Sequence, residues 1–231
     1  MLSVAEKYLR IQSEIEDILR KSGRPPLNTK ILVVSKGQEA KTLQELVNVG
    51  QEDFGENYVQ EWKEKKQSLA NSKVQWHFIG RLQSNKLKYL IGEIALFHSL
   101  DRWDLALKME EVSQKKNVKT SVLIEVDLAQ EATKTGVSEE KLKSFVEKLN
   151  SLENLELKGL MLFPPLAEDP ETSRPYFKHL REILFEFNQK NVYKKPLSEL
   201  SMGMSNDYLV AVEEGATCLR IGRAIFNESK I

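Results

Sequence analysis

Short apolar runs rich in valine, isoleucine and aromatics recur along this chain, each followed by a segment with helical spacing. That alternation constrains the fold more than any other feature. The runs are Ile31–Ser35, Asp53–Phe54, Val74–Ile79, Ile94–Ser99, Ser121–Val126, Leu157–Phe163, Leu197–Ser201 and Cys218–Ile221. Between them, Leu43, Leu46 and Val47, then Leu105, Leu107, Met109 and Val112, Leu142, Phe145, Val146 and Leu149, and Phe177, Leu180, Ile183, Leu184 and Phe187 keep helical periodicity. Strand followed by helix, repeated, builds a parallel sheet with crossover helices. Eight such units in 231 residues predict an α/β fold, a single (β/α)8 TIM barrel. An extra N-terminal helix over residues 2 to 21 carries Leu2, Tyr8, Leu9, Ile11, Ile15, Ile18 and Leu19, and Gly23 with Pro25-Pro26 stops it. An open doubly wound sheet is the alternative, but Ser35-Lys36-Gly37-Gln38 after the first run is no dinucleotide-binding glycine turn. No low-complexity linker interrupts the chain, so one domain over 1–231 is expected, with Asp53–Phe54 its weakest strand.

Charge and cysteine usage exclude several classes. The 34 basic and 34 acidic residues cancel, with none of the basic excess of a dedicated nucleic-acid binder. No apolar stretch is long enough to span a membrane, and the N-terminus does not read as a secretory signal. Cys218, the single cysteine, cannot form an internal disulfide, which fits a cytoplasmic protein.

In such barrels the chemistry sits where strands end and the following loops begin. Those positions hold Lys36, Gly55-Glu56-Asn57, His77 with Gly80, Asp101, Asp127, Met161, Ser201 and Arg220. Alternation places Leu32, Val34 and Lys36 on one face of the first strand. A lysine kept partly dry there would be a nucleophile toward carbonyls; taken alone, it reads first as a lysine that simply ends a strand and reaches water. The segment Leu200-Ser201-Met202-Gly203-Met204-Ser205-Asn206-Asp207 offers hydroxyls, a glycine and free amides entering a helix, which suit a phosphate; Asn206 or Asp207 serves equally as a plain helix cap. Arg220-Ile221-Gly222-Arg223 ends the eighth strand with a second glycine. Loops after strands seven and eight form the usual phosphate site of this fold. Arg220 is the inward residue of its strand and needs a specific acceptor, since an unpaired buried guanidinium costs several kcal/mol. First and eighth strands are neighbours in a closed barrel, so Lys36 and Arg220 should flank one site. His77, His98 and His179 lack metal-ligand spacing. Trp76, Phe78, Trp103, Phe185 and Phe187 read as core, the charge run Glu61–Lys66 as a solvated helix face, and Pro164-Pro165 as a chain break after strand six.

Three stretches near the N-terminus, Val34-Ser35-Lys36, Phe54-Gly55-Glu56-Asn57-Tyr58-Val59-Gln60-Glu61 and Trp76-His77-Phe78-Ile79-Gly80-Arg81-Leu82-Gln83-Ser84-Asn85-Lys86, join four later ones. These are Lys134-Thr135-Gly136, Gly159-Leu160-Met161, the Leu200–Asp207 segment, and Glu214-Gly215-Ala216-Thr217 leading into Arg220-Ile221-Gly222. Together they resemble the pyridoxal phosphate homeostasis proteins, the YggS/PROSC family, over nearly the whole chain. The resemblance implies a barrel related to the N-terminal domain of alanine racemase, fold type III among pyridoxal-phosphate proteins, with pyridoxal 5′-phosphate as cofactor. It implies an imine on Lys36, a phosphate held by Ser201, Gly222 and the backbone around Met202 and Arg223, Arg220 at the ring nitrogen, and Asn57 near the ring. His77 and Met161 complete the expected cofactor contacts, and no metal is expected. Departures are present: the family commonly follows the lysine with threonine and, two residues later, proline, where this chain has Gly37, Gln38 and Glu39. It also commonly places Thr or Ser after Arg-Ile-Gly, where Arg223 stands here, so a hydroxyl contact to the phosphate is missing at that position. The family's acidic loop before Lys134 is present as Glu131-Ala132-Thr133.

What the resemblance implies is a non-catalytic carrier and buffer of the cofactor in vitamin B6 homeostasis, a monomer in transient contact with apoenzymes. The alternative is a low-activity amino-acid racemase. Alanine racemases take their second acid/base from another domain of a partner subunit, and this chain ends ten residues after Ile221. His77 and Tyr58 stand as candidate lone bases for a side activity. A third possibility, a class I aldolase using Lys36 on a sugar phosphate, predicts a colourless protein.

Overall fold

Each apolar run becomes a strand because its β-branched and aromatic side chains fit a sheet packed on both faces. The computed structural model describes residues 2–22, 29–129 and 135–227. The helix stop read at Gly23 and Pro25-Pro26, and the loop Glu131–Lys134, lie outside the described residues. Helix α1 (Val4–Lys21) opens the fold. The strands are β1 (Lys30–Val34), β2 (Asp53–Glu56), β3 (Gln75–Phe78), β4 (Leu96–Leu100), β5 (Thr120–Asp127), β6 (Val137–Ser138), β7 (Leu155–Leu162), β8 (Glu199–Ser201) and β9 (Cys218–Ile221). The later helices are α2 (Ala40–Asn48), α3 (Val59–Ser68), α4 (Leu87–Leu90), α5 (Trp103–Lys116), α6 (Glu139–Leu149), α7 (Arg174–Gln189), α8 (Tyr208–Glu213) and α9 (Arg223–Phe226).

Parallel pairing runs β4-β3-β2-β1-β9-β8-β7-β5, and a β4–β5 pairing closes the ring into the expected eight-stranded barrel. The two-residue β6 adds to β5 outside that ring. The second strand is longer than its apolar residues suggest, because Gly55 and Glu56 continue the pairing with β3. A buried carboxylate is not a strand signal, and Glu56 is there because a lysine reaches it.

Alternate strand residues separate two cores. Ile31, Val33, Phe54, Phe78, Phe97, Val122, Leu160, Leu219 and Ile221 face outward into the main cluster with the helices. Leu32, Ile79 and Cys218 pack together inside the ring, and Leu96, Leu123 and Met161 form a second interior group. Helix α1 is fixed by a capping box between Ser3 and Glu6 and packs Tyr8, Ile11 and Ile15 into the main cluster. Leu107 and Phe185, read as apolar-face residues, are instead exposed.

Gly159 sits where β7 approaches β8, and a Cβ there would lie 1.9 Å from the Glu199 carbonyl oxygen. Backbone cannot yield as a flexible side chain can. Gly159→Ala should therefore destabilise the protein by about 3 kcal/mol, read as a lower midpoint in urea unfolding.

Candidate functional site

The chain leaves β1 through buried Ser35 and turns at Gly37, whose φ is +71°. Lys36 lies in this turn and is exposed. The dry amine expected from strand alternation is therefore not found, because the lysine sits past the strand end rather than within the ring.

Three charged residues clamp the turn. The Lys65 ammonium donates to the Ser35 carbonyl at 2.6 Å, to Glu61 at 2.8 Å and to the Glu56 carboxylate. Glu56 accepts from the Ser35 hydroxyl at 2.7 Å, and Glu61 accepts from the Gly37 N–H at 2.8 Å. Burial acts to raise the Glu61 carboxyl, but Lys65 and the Gly37 N–H hold it below the usual carboxylate range. The charge run is thus not a solvated face throughout, since Lys65 is only 6% exposed.

Lys36 borders a cleft of about 320 Å3 with Val34, Met204, Ser205, Arg220, Gly222 and Arg223. Parallel pairing of β1 with β9 sets Leu32 opposite Arg220 and brings the two cations to one mouth. Arg220 is 2% exposed. Its guanidinium donates to the Ser201 carbonyl at 2.6 Å, the Ser201 hydroxyl at 2.7 Å and the Leu162 carbonyl at 2.7 Å, and lies 4.4 Å from the centre of the Phe163 ring. These acceptors are all neutral, so burial pulls the guanidinium down to about 10, leaving it charged at neutral pH. Nε of Arg220 and Oδ1 of Asn57 are buried with no hydrogen-bond partner among the described residues. A buried donor without an acceptor is costly, and a ligand atom would satisfy it.

At the other side of the cleft the Ser205 hydroxyl accepts from the Ala224 N–H at 3.1 Å and the Gly222 N–H at 3.4 Å. A Cβ on Gly222 would come within 3.2 Å of the Val34 carbonyl oxygen, so glycine lets this loop lie against β1. The hydroxyl that Arg223 does not supply is thus present in the cleft on Ser205. Cys218 lies beneath, fully buried, and burial pushes its thiol up to about 12 despite the nearby Arg220. The native protein should resist iodoacetamide at mildly alkaline pH and react only once unfolded, as followed by mass spectrometry.

Five expected contacts do not line this cleft. Ser201 turns its hydroxyl into the ring, where Arg220 and His98 occupy it. Met202 is buried in the outer core, and its N–H donates to the Cys218 carbonyl. Met161 is a fully buried member of the interior apolar group. His77 points toward the opposite end of the barrel, where it meets Asp53 at 2.9 Å and lines a different cleft. Asn57 lines an adjoining cleft at the Lys36 end with Gly80, Arg81, Glu125, Asp127 and Phe163. Ser205 was readable only as one hydroxyl among several in its segment. Phe163 and Lys65 gave no signal beyond an apolar run and an i,i+4 charge pair.

The family model for the alanine racemase N-terminal domain matches residues 9–230. A pyridoxal phosphate homeostasis protein of Aquifex aeolicus is 43% identical over 229 residues, covering 99% of this chain and 100% of the relative. The chain belongs to the pyridoxal phosphate homeostasis protein family. Among solved structures, PipY of Synechococcus elongatus PCC7942, with PLP bound, superposes with a TM-score of 0.85 at 30% identity, covering 97% of this chain and 100% of PipY. An alanine racemase of Clostridium difficile 630 shares the fold at a TM-score of 0.69 and 15% identity, covering 95% of this chain and 56% of the racemase. Within the family motifs, Asn57 and Gly80 meet closely: a Cβ on Gly80 would lie 2.3 Å from the Asn57 carbonyl oxygen.

Proposed function

We propose that the protein binds pyridoxal 5′-phosphate at the Lys36 cleft and carries and buffers it in vitamin B6 homeostasis, as one domain spanning residues 1–231. The observation that carries this reading is Arg220: a buried, pinned guanidinium whose Nε lacks a partner among the described residues, beside Lys36 and the Ser205–Gly222 loop. The homeostasis relatives and PLP-bound PipY support it. Lys36 would tether the cofactor's aldehyde, the Gly222–Ala224 backbone with Ser205 and Arg223 would hold its phosphate, Arg220 would offer Nε to the ring nitrogen, and Asn57 would lie near the ring. When bound, the cofactor supplies a reactive aldehyde and an electron-withdrawing ring.

Arg220 would disfavour a proton on a ring nitrogen beside it, which weakens the ring as an electron sink; the racemases share this arginine, so it does not by itself separate storage from racemisation. The relatives are named for homeostasis and not for a reaction. The protein would act in the cytoplasm as a monomer, in transient contact with apoenzymes; no described helix is long and apolar enough to cross a membrane.

The test is the absorption spectrum of purified protein titrated with pyridoxal 5′-phosphate. A visible band that persists through gel filtration is expected. A colourless protein that cannot be reconstituted would sink the proposal, and loss of α-deuterium from L-alanine at ordinary enzymatic rates would make the protein a racemase.

A further inference from the structure

Between its two apolar groups the barrel interior holds polar side chains that cofactor attachment does not use. His98 is fully buried on β4 and His77 nearly so on β3. They join Nε2 of His98 to Nδ1 of His77 at 3.0 Å. Beyond them, His98 Nδ1 lies 2.9 Å from the Ser201 hydroxyl, and His77 Nε2 lies 2.9 Å from Asp53. Ser201 is also the acceptor that Arg220 engages at 2.7 Å. The result is one unbroken line from the cofactor cleft to the opposite mouth of the barrel, where Asp53 also meets Lys30 at 3.4 Å.

The direction of this line follows from donor chemistry. Arginine only donates, so the Ser201 oxygen accepts from Arg220 and its single proton is left for His98 Nδ1. His98 then carries its proton on Nε2 and donates to His77 Nδ1. That leaves the His77 proton on Nε2, facing the Asp53 carboxylate. Protonating His98 as well would aim a second donor at Ser201 and add a positive charge beside Arg220 in a site closed to water. Burial, His77 and Arg220 all hold His98 well below its ordinary range, consistent with a neutral ring.

We propose that His98 and His77 are positioning residues: with Ser201 they form a chain of hydrogen bonds, every donor directed away from the cleft, that ties the Arg220 guanidinium to the Asp53 carboxylate at the far mouth. No carboxylate bonds Arg220 directly among the hydrogen bonds of the described residues. Glu125 and Asp207 act on Arg220 through space, whereas Asp53 is joined to it by hydrogen bonds through three intermediates, Ser201, His98 and His77. The chain fixes Ser201 as an acceptor, which pins one guanidinium nitrogen, while Nε stays without a partner among the described residues. The consequence for the cofactor rests on the function proposed above; the direction of the chain does not.

Two measurements separate these. In full-length protein labelled with nitrogen-15 histidine and free of cofactor, long-range proton–nitrogen spectra at neutral pH should show both rings neutral and protonated on Nε2. Ser201→Ala should shift the His98 Nδ1 resonance. A proton on Nδ1 of either ring, or an imidazolium at His98, overturns the chain whether or not the protein binds the cofactor. Pyridoxal 5′-phosphate is then titrated into wild type, His98→Leu and His98→Asn. His98→Leu should weaken binding roughly tenfold, the loss of about one buried hydrogen bond. His98→Asn, whose side-chain oxygen replaces Nδ1 as acceptor, should stay within about threefold of wild type. Wild-type affinity in folded His98→Leu, or equal losses in both variants, overturns the positioning role. Should His98→Leu not fold, Ser201→Ala is titrated in its place and the same tenfold loss is expected. A wild type that binds no cofactor refutes the carrier function and leaves the spectra to decide the chain.

Discussion

Lys36→Ala should leave the barrel folded and abolish the visible absorption of the cofactor complex. The side chain is exposed on a turn outside both cores, so its removal should change unfolding free energy by only about 0.5 kcal/mol. Binding depends on it far more. Without the amine, the cofactor would keep only its non-covalent contacts to Arg220 and the Ser205–Gly222 loop. Two of those anchors are held independently of Lys36: Arg220 by Ser201 and Leu162, and Ser205 by the Gly222 and Ala224 amides. The cleft should therefore remain formed and retain weak affinity, down on the order of a hundredfold or more, about 3 kcal/mol. Equilibrium dialysis measures the loss, and the spectrum shows its cause. A Lys36→Ala protein that keeps the band would mean that another amine carries the aldehyde.

The fold was legible because alternation along each apolar run is a local property that survives into the barrel. The same parity placed Arg220 inside, and closure of the barrel, which sets the first strand beside the last, predicted that Lys36 and Arg220 would share one mouth. Parity does not say how far along the barrel axis an inward residue sits. His77 and Arg220 both point inward, yet one serves the far mouth and the other the cleft. Nor does it say which hydroxyl of a Ser-rich loop is free. Ser201 is taken because buried Arg220 needs acceptors, and that demand comes from a different strand. Lys65 was hidden for the opposite reason. A lysine among charges on a helix reads as solvated until the fold sets a buried carboxylate within its reach.

That buried pair should give a large stability effect without touching a ligand. Glu56 is fully buried and Lys65 nearly so, and their ion pair ties α3 to the end of β2. Lys65→Met keeps much of the side-chain volume but leaves the Glu56 carboxylate with the Ser35 hydroxyl and its neighbouring amide as remaining donors. Breaking one side of such a pair costs about 3–5 kcal/mol, because the desolvated charge stays behind. Glu56→Gln should cost less, since Lys65 still has Glu61 and the Ser35 carbonyl. The double variant should therefore be more stable than the sum of the single losses implies, by about 2 kcal/mol in a urea-unfolding cycle. Additive losses would mean the two charges do not act as a pair. Lys65 also bonds both the residue before Lys36 and the carboxylate that holds Gly37, so Lys65→Met should loosen the turn. Cofactor affinity should then fall with every residue of the cleft unchanged, because a tether is only as well placed as the backbone that presents it.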